Sequence, residues 1–274
     1  MIPVMCLAAE PDSLPLRPVL TSTMFDMGRT GRLYDSYLSI MNYAGWNVGL
    51  RHERLQMSRR RPARMLTRHD LSLDYTSARN KPGNGMMMMG MLGYDYGLLY
   101  TARMPVRGLT LYGGGQAGTR IGFIYNMRNS NNPATAKVDA RLSLSGMAVY
   151  RFRIKRYPLT LRYQLSLPVA GVFFGPEFGQ SYYEMFELGN RAGTVHFGSF
   201  HNQFYMDNLV SLDLPLGRGA LRLGYRNSIY STRQDYIDTR IYTNSLVIGV
   251  TTEFITWNRY KPAVSGRRIS PVYE

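Results

Sequence analysis

The sequence predicts an all-β fold: a transmembrane antiparallel up-and-down β-barrel of about twelve strands, with ten as the alternative count. Three observations predict it. Apolar and polar residues alternate with a period of two over stretches of about 15 residues, where strands of globular sheets usually run to five or six. Short Pro- or Gly-bearing connections alternate with longer polar ones, as turns and loops do at the two ends of such a barrel. No run of 18 apolar residues exists, so the chain offers no membrane-spanning helix.

In chain order the alternation marks Leu33–Asn42, Trp46–Met57, Leu66–Thr76, Met86–Ala102, Leu109–Asn126, Val138–Ile154, Leu159–Phe173, Gln180–Leu188, Thr194–His201, Tyr205–Leu214, Ala220–Ser231 and Thr239–Phe254. If Gln180 to His201 is a folded loop, the count falls to ten. Between Val138 and Ile154 the even positions are apolar throughout, and the odd ones carry Asp139, Arg141, Arg151 and Arg153. The tight connections are "MPVRG", "KRYP", "GNRAG" and "PLGRG", read as periplasmic turns. The long ones are "SARNKPGNG", "NMRNSNNPATA" and "RQDYID", read as external loops. An eight-stranded periplasmic sandwich is the rival, and it does not explain the strand lengths.

"LTLYGGGQAGTRIGFIYN", Leu109 to Asn126, contains a literal GxGxxG at Gly113, Gly115 and Gly118. A dinucleotide turn needs a helix after the glycines to hold the pyrophosphate. Here period two runs straight through them, so the stretch reads as one long strand.

The mean hydropathy of −0.24 looks soluble, but an average cannot see an apolar face hidden behind a polar one. Tyr (21) and Gly (27) are abundant, which suits aromatic girdles and crowded strands. The net charge is +15, yet the arginines are spread singly along strands, so no nucleic-acid partner is expected. Outer-membrane lipids and lipopolysaccharide, buried carboxylates and other outer-membrane subunits are the expected counter-charges and partners. "MIPVMCLAAEPDSLP" resembles the end of a secretory signal; acylation at Cys6 is the rival, against which Met5 is bulky. The expected division is a signal remnant over 1–9, a periplasmic segment over 10–31, the barrel over 32–254 and a periplasmic tail over 255–274.

At "LYDSYLSIMNYAGW", "NMRNSNNPATAK", "LRYQLSLPVAGVFFGPEFGQSYYEMFELGN" and "FHNQ" the chain resembles a family of outer-membrane proteins of Bacteroidetes defined as a domain of unknown function. The similarity runs from about Met24 to Phe254. It implies a signal-bearing outer-membrane barrel and carries no catalytic assignment.

With apolar residues facing lipid, Asp70, Asp74, Arg120, Asp139, Arg141, Arg151, Arg153, Arg162, Asp213, Arg222, Arg226 and Glu253 face the lumen. Seven arginines against five acids is near balance. This favours a plugged or tightly constricted barrel in which the charges pair, over an electropositive pore. The expected role is accordingly structural, in assembly, or in narrow transport.

"VHFGSFHNQFYMDNLV" carries a second possibility. Ser199 and His201 share one side of a strand, and Asn208 faces outward from the next. Nucleophile, general base and orienter on the lipid side are similar in kind to the outer-membrane phospholipases, although the order here is Ser-x-His instead of His-x-Ser. The plainer alternative is that such residues bind water or headgroups at the interface. His52, His69 and His196 fall singly on different strands, so neither a metal site nor a cofactor is expected. Met86 to Met89 spans both faces of its strand and reads as packing or lipid-facing methionine. "SRRRPAR", Ser58 to Arg64, reads as a solvated basic turn, and Tyr182, Tyr183, Phe186 and Phe200 as part of an outer aromatic girdle.

Overall fold

The computed structural model describes residues 18–57, 64–130, 132–217 and 219–255. Its strands are β1 (Pro18–Asp35), β2 (Ser39–Met57), β3 (Met65–Asn80), β4 (Met86–Arg103), β5 (Leu109–Asn126), β6 (Ala134–Ile154) and β7 (Tyr157–Phe174). After a one-turn helix α1 (Tyr182–Phe186) come β8 (Val195–Ser199), β9 (Gln203–Leu216), β10 (Gly219–Gln234) and β11 (Ile237–Ile255). Strands adjacent in sequence pair antiparallel, except that β8 and β9 both pair with β7, and β1 pairs with β11 from Pro18↔Ile255 to Asp35↔Thr239. The sheet therefore closes into a ten-stranded barrel with β8 as one short extra strand.

β8 lies against the end of β7 (Ala170–Phe174), while β9 lies against its middle (Thr160–Ser166), both in the same direction. Following paired residues once round the wall from Gly146 returns to β6 at Ala134, twelve residues away. A stagger of that size for ten strands tilts them by about 40° from the axis.

Side chains alternate across the wall. Leu50, Leu73, Leu98, Ile121, Leu142, Leu144, Leu246 and Ile248 point out and are exposed, while Arg51, Asp70, Gln116, Arg141 and Ser145 point in and are buried. This inverts a soluble protein and leaves an apolar outer surface far beyond what a soluble monomer exposes. Pro18, Ile255, the end of β2, the start of β3 and the connections after β4, β6 and β9 lie at one end, the turn end. The connections after β1, β3, β5 and β10 and the excursion 175–202 lie at the other, the loop end.

Three expectations are corrected. The first strand is Pro18–Asp35, and a turn at 36–38 interrupts the expected Leu33–Asn42, so 18–31 belong to the wall and not to a segment outside it. The contrast was blunt there because Leu20 and Met24 face inward and Thr21 and Thr23 outward. The expected strand Gln180–Leu188 is instead a loop with α1, started by a capping box: the Ser181 hydroxyl accepts from the Glu184 amide at 3.2 Å, and the Glu184 carboxylate accepts from the Ser181 amide at 2.7 Å. With 180–201 mostly a folded loop, the strand number is the alternative count of ten, and β8 is one short extra strand. "GNRAG" consequently sits at the loop end. The expected signal remnant 1–9 and Cys6, most of "SRRRPAR" and the tail beyond Ile255 lie outside the described residues.

Gly118, the last glycine of the GxGxxG, shows what these glycines do. It faces inward, and a Cβ there would sit 1.9 Å from Asp95 Oδ1 and 3.0 Å from Arg141 Nη2. The missing side chain makes room for the ion pair between those two residues, at 2.8 Å.

Candidate functional site

The barrel interior is where the charged residues meet. β2 and β3 run side by side and present Arg51, Glu53, Arg68 and Asp70 on their inner faces. Glu53, 1% exposed, accepts two hydrogen bonds of 2.5 Å from Arg162 and one of 2.8 Å from Arg68, with Arg222 at 3.5 Å. Arg222 in turn binds Asp213 through Nε and Nη2 at 2.6 and 2.7 Å. A second knot gathers Arg226 with Asp207 (2.9 Å), Asp74 (2.7 Å) and Asp26 (3.2 Å), and Arg51 joins it through Asp207 at 2.5 Å. Arg68 also pairs with Asp70, Arg141 with Asp139 at 2.7 Å, and Lys137 with Asp35 at 2.6 Å.

Arg120 takes a different partner. Its guanidinium carbon lies 3.5 Å from the centre of the Tyr205 ring, and that of Arg141 lies 4.5 Å from it, so the aromatic face holds cations where no carboxylate is paired with Arg120 among the described residues.

Between the two mouths, among the described residues, the inward cations are Arg51, Arg68, Arg120, Lys137, Arg141, Arg162, Arg222 and Arg226, eight in all. The inward anions are Asp26, Asp35, Glu53, Asp70, Asp74, Asp95, Asp139, Asp207 and Asp213, nine in all. Buried charges need partners, and this interior supplies them almost one for one.

Apolar clusters flank the charged layer at both ends, at the turn end along one half of the wall. Leu20, Leu55, Leu66, Leu99, Tyr112, Met147 and Val149 fill the turn-end part of the strands from β1 to β6. Leu33, Leu38, Tyr43, Met87, Met89, Met91, Ile124, Tyr205, Tyr230 and Ile241 fill the loop end. Leu38, on the 36–38 turn, is buried in that cluster. A cavity between the charges and the loop-end cluster, beside Arg120, Asp74 and Met91, measures about 20 Å³, room for about one water.

The excursion 175–202 is clasped to the loop end by aromatic contacts. Tyr182 accepts from the Ala136 amide at 2.6 Å and meets Tyr37 edge-on at 5.9 Å. Tyr37 donates to the Gln180 carbonyl at 3.2 Å. Burial, helped by Tyr182, Asp35 and Glu184 nearby, pushes the Tyr37 hydroxyl up to about 12, and burial also raises that of Tyr182.

The family model described as "Protein of unknown function (DUF3316)" matches residues 4–261. The chain belongs to this family. No curated protein matches it. Among solved structures, this member of the family is similar to the translocator domain of the autotransporter NalP from Neisseria meningitidis, with 13% identity, 87% of this chain and 88% of that one covered, and a TM-score of 0.43. The transport unit of the autotransporter AIDA-I from Escherichia coli gives 8% identity, 92% and 94% coverage and a TM-score of 0.40. A Pseudomonas aeruginosa FadL homologue gives 9%, 87% and 90%, and 0.32.

Of the residues assigned to the lumen from sequence, Asp70, Asp74, Arg120, Asp139, Arg141, Arg162, Asp213, Arg222 and Arg226 point into this interior. Arg151, Arg153 and Glu253 have the inward phase but stand at the turn-end mouth, Arg151 half-buried and the other two exposed. Sequence reasoning missed Arg51, Glu53, Arg68 and Asp207, the hubs of the network. Arg51 lies between the outward Leu50 and His52, and Glu53 between His52 and Arg54; with two polar residues on the outward face here, the alternation does not single them out.

The Ser199, His201 and Asn208 constellation is only partly assembled. Ser199 Oγ and His201 Nδ1 are 2.5 Å apart at the turn joining β8 to β9. Asn208 pairs across the wall with Leu165, whereas Ser199 pairs with Ala170, so Asn208 lies about 16 Å along the strand and accepts from Tyr163 instead, at 3.1 Å. The Ser199 amide is taken by Asn202 Oδ1 at 2.8 Å, which removes the donor closest to the serine from any oxyanion hole.

His52, His69 and His196 bind Thr23, Tyr94 and the Gly175 carbonyl respectively. Met87 and Met89 face the loop-end core, while Met86 and Met88 face outward. Tyr183, Phe186 and Phe200 are exposed, whereas Tyr182 belongs to the clasp and not to a girdle.

Proposed function

We propose that the chain is an integral outer-membrane barrel with a closed lumen, and that its role is structural: it anchors the loop-end surface at the membrane and conducts no solute. The observation that carries this reading is the inverted wall, apolar outside and ion-paired inside, with apolar clusters flanking the charged layer at both ends. A closed barrel satisfies every ladder hydrogen bond without an edge, the condition for crossing hydrocarbon. Exposed Tyr100, Tyr150 and Tyr157 toward the turn end and Trp46 against Tyr75 (5.5 Å) toward the loop end suit the two membrane interfaces. By the usual asymmetry the loop end is external. Lipids and lipopolysaccharide are the partners in this reading, with other outer-membrane subunits a further possibility on the outer wall.

Liposomes loaded with protein test it through swelling in an isotonic solution of a small sugar or amino acid. Swelling no faster than in empty liposomes is expected; narrow transport, the competing role for such a barrel, requires faster swelling.

The second reading is an outer-leaflet lipid hydrolase, favoured by the Ser199 to His201 contact alone. A fluorescent phosphonate that labels folded wild type and not Ser199→Ala supports it; an unlabelled wild type removes it.

A further inference from the structure

Among the described strand residues the outward wall carries few charges: Arg54 and Arg79 stand singly on β2 and β3, and the others gather at one place. On β1, β11 and β10, just below the loop end, Arg29, Arg32, Arg240 and Arg233 all point outward. They are neighbours in the sheet: Arg32 pairs with Tyr242, Tyr34 with Arg240, Arg240 with Ser231, and Asp238 with Arg233. Asp238 faces them and binds Arg240, with Nε to Oδ1 at 3.1 Å. Arg32 is held by Asn42 Oδ1 at 2.7 Å and lies over Tyr34 at 5.5 Å. Arg29 and Arg233 are exposed and have no side-chain partner among the described residues.

Beside them opens a cleft of about 240 Å³. Its lining combines the polar Arg233, Arg240, Asp238, Ser231 and His201 with the apolar rings of Phe200 and Phe204. The Ser199 contact to Nδ1 fixes the His201 ring. With Ser199 donating, the ring keeps its proton on Nε2, a donor for a ligand.

Resting on the outer-membrane reading, we propose that this cleft binds the phosphate-bearing headgroup of a lipid in the loop-end leaflet. Guanidinium forks match phosphate oxygens two at a time. The phenylalanines supply what a free anion would not need, an apolar wall for the start of an acyl chain. The cleft lies on the outward surface next to the apolar belt, where a lipid reaches it without leaving the bilayer. This use also gives the Ser199 and His201 pair a role that needs neither Asn208 nor an oxyanion hole.

Native mass spectrometry of the full chain released from detergent micelles tests the proposal, with diphosphoryl lipid A and the same lipid stripped of both phosphates as probes. Retention of the phosphorylated lipid about tenfold above the stripped one is expected. Arg233→Gln with Arg240→Gln should bring the ratio close to one. Arg79→Gln with Arg128→Gln, elsewhere on the same rim, should leave it unchanged. Equal retention of the two lipids, equal loss in both double variants, or displacement by millimolar inorganic phosphate would each overturn it. Heat-modifiable gel mobility shows beforehand that every variant is folded. A chain that stays monodisperse without detergent refutes the outer-membrane reading, and the lipid site with it, before any lipid is added.

Discussion

Arg162 and Glu53 meet across the barrel interior through two parallel hydrogen bonds of 2.5 Å, with neither side chain more than 1% exposed. Their strands, β7 and β2, are not neighbours, so the pair spans the lumen and ties opposite walls together. Two further arginines, Arg68 and Arg222, lean on the same carboxylate. Removing that carboxylate leaves cations buried without compensation, and breaking such an arrangement typically costs about 3–5 kcal/mol. Glu53→Ala should therefore lower unfolding stability by about that amount, read as a fall in the urea midpoint of the folded gel band. A change within error would mean that the interior is more hydrated than its burial indicates.

Tyr205 is expected to matter beyond its size. Its ring faces the guanidinium of Arg120 and lies close to that of Arg141. Tyr205→Leu keeps an apolar side chain and discards the π face, at a cost of about 2 kcal/mol for a desolvated site. Tyr205→Phe retains the face and should cost distinctly less. Equal losses for the two variants would assign the effect to packing instead of cation binding.

High pH should release the loop-end clasp. The Tyr37 hydroxyl has a folded pKa raised from 10.0 to about 12, so its contribution to stability is complete below 10 and is lost as pH climbs through 12. The difference in absorbance at tyrosinate wavelengths between wild type and Tyr37→Phe should titrate near 12. A midpoint near 10 would place that hydroxyl in solvent.

Gly118 should resist enlargement. Gly118→Val puts branched carbon where Asp95 and Arg141 meet, so folding yield should fall sharply. Gly113→Val, on the exposed outward face with open space around it, should fold normally. If the two variants fold alike, the inward assignment of β5 is wrong.

The alternation made the wall legible from sequence wherever the two faces differ in kind. Along β6, Leu142 and Leu144 against Arg141 and Ser143 leave no doubt about the phase. It failed along β1, because inward Leu20 and Met24 belong to the apolar clusters and so resemble lipid-facing residues. A sequence reading that treats the lumen as uniformly polar cannot register a layered interior, apolar at the ends and charged between. The helix α1 was written in its Ser181 to Glu184 capping box, but one turn of helix in an aromatic-rich stretch looks like a strand by period alone. Which arginine meets which carboxylate was not legible at all. Arg162 and Glu53 are 109 residues apart in sequence, and only barrel closure and stagger bring them together.

The closed lumen is the centre of this account. Conductance of purified protein in a planar bilayer tests it most directly, with Leu55→Ala and Leu66→Ala added to Glu53→Ala as a variant that loosens the turn-end closure. The account predicts a silent wild type and intermittent conductance in the triple variant. A steady open current through the wild type, carried by either sign of ion, would contradict it.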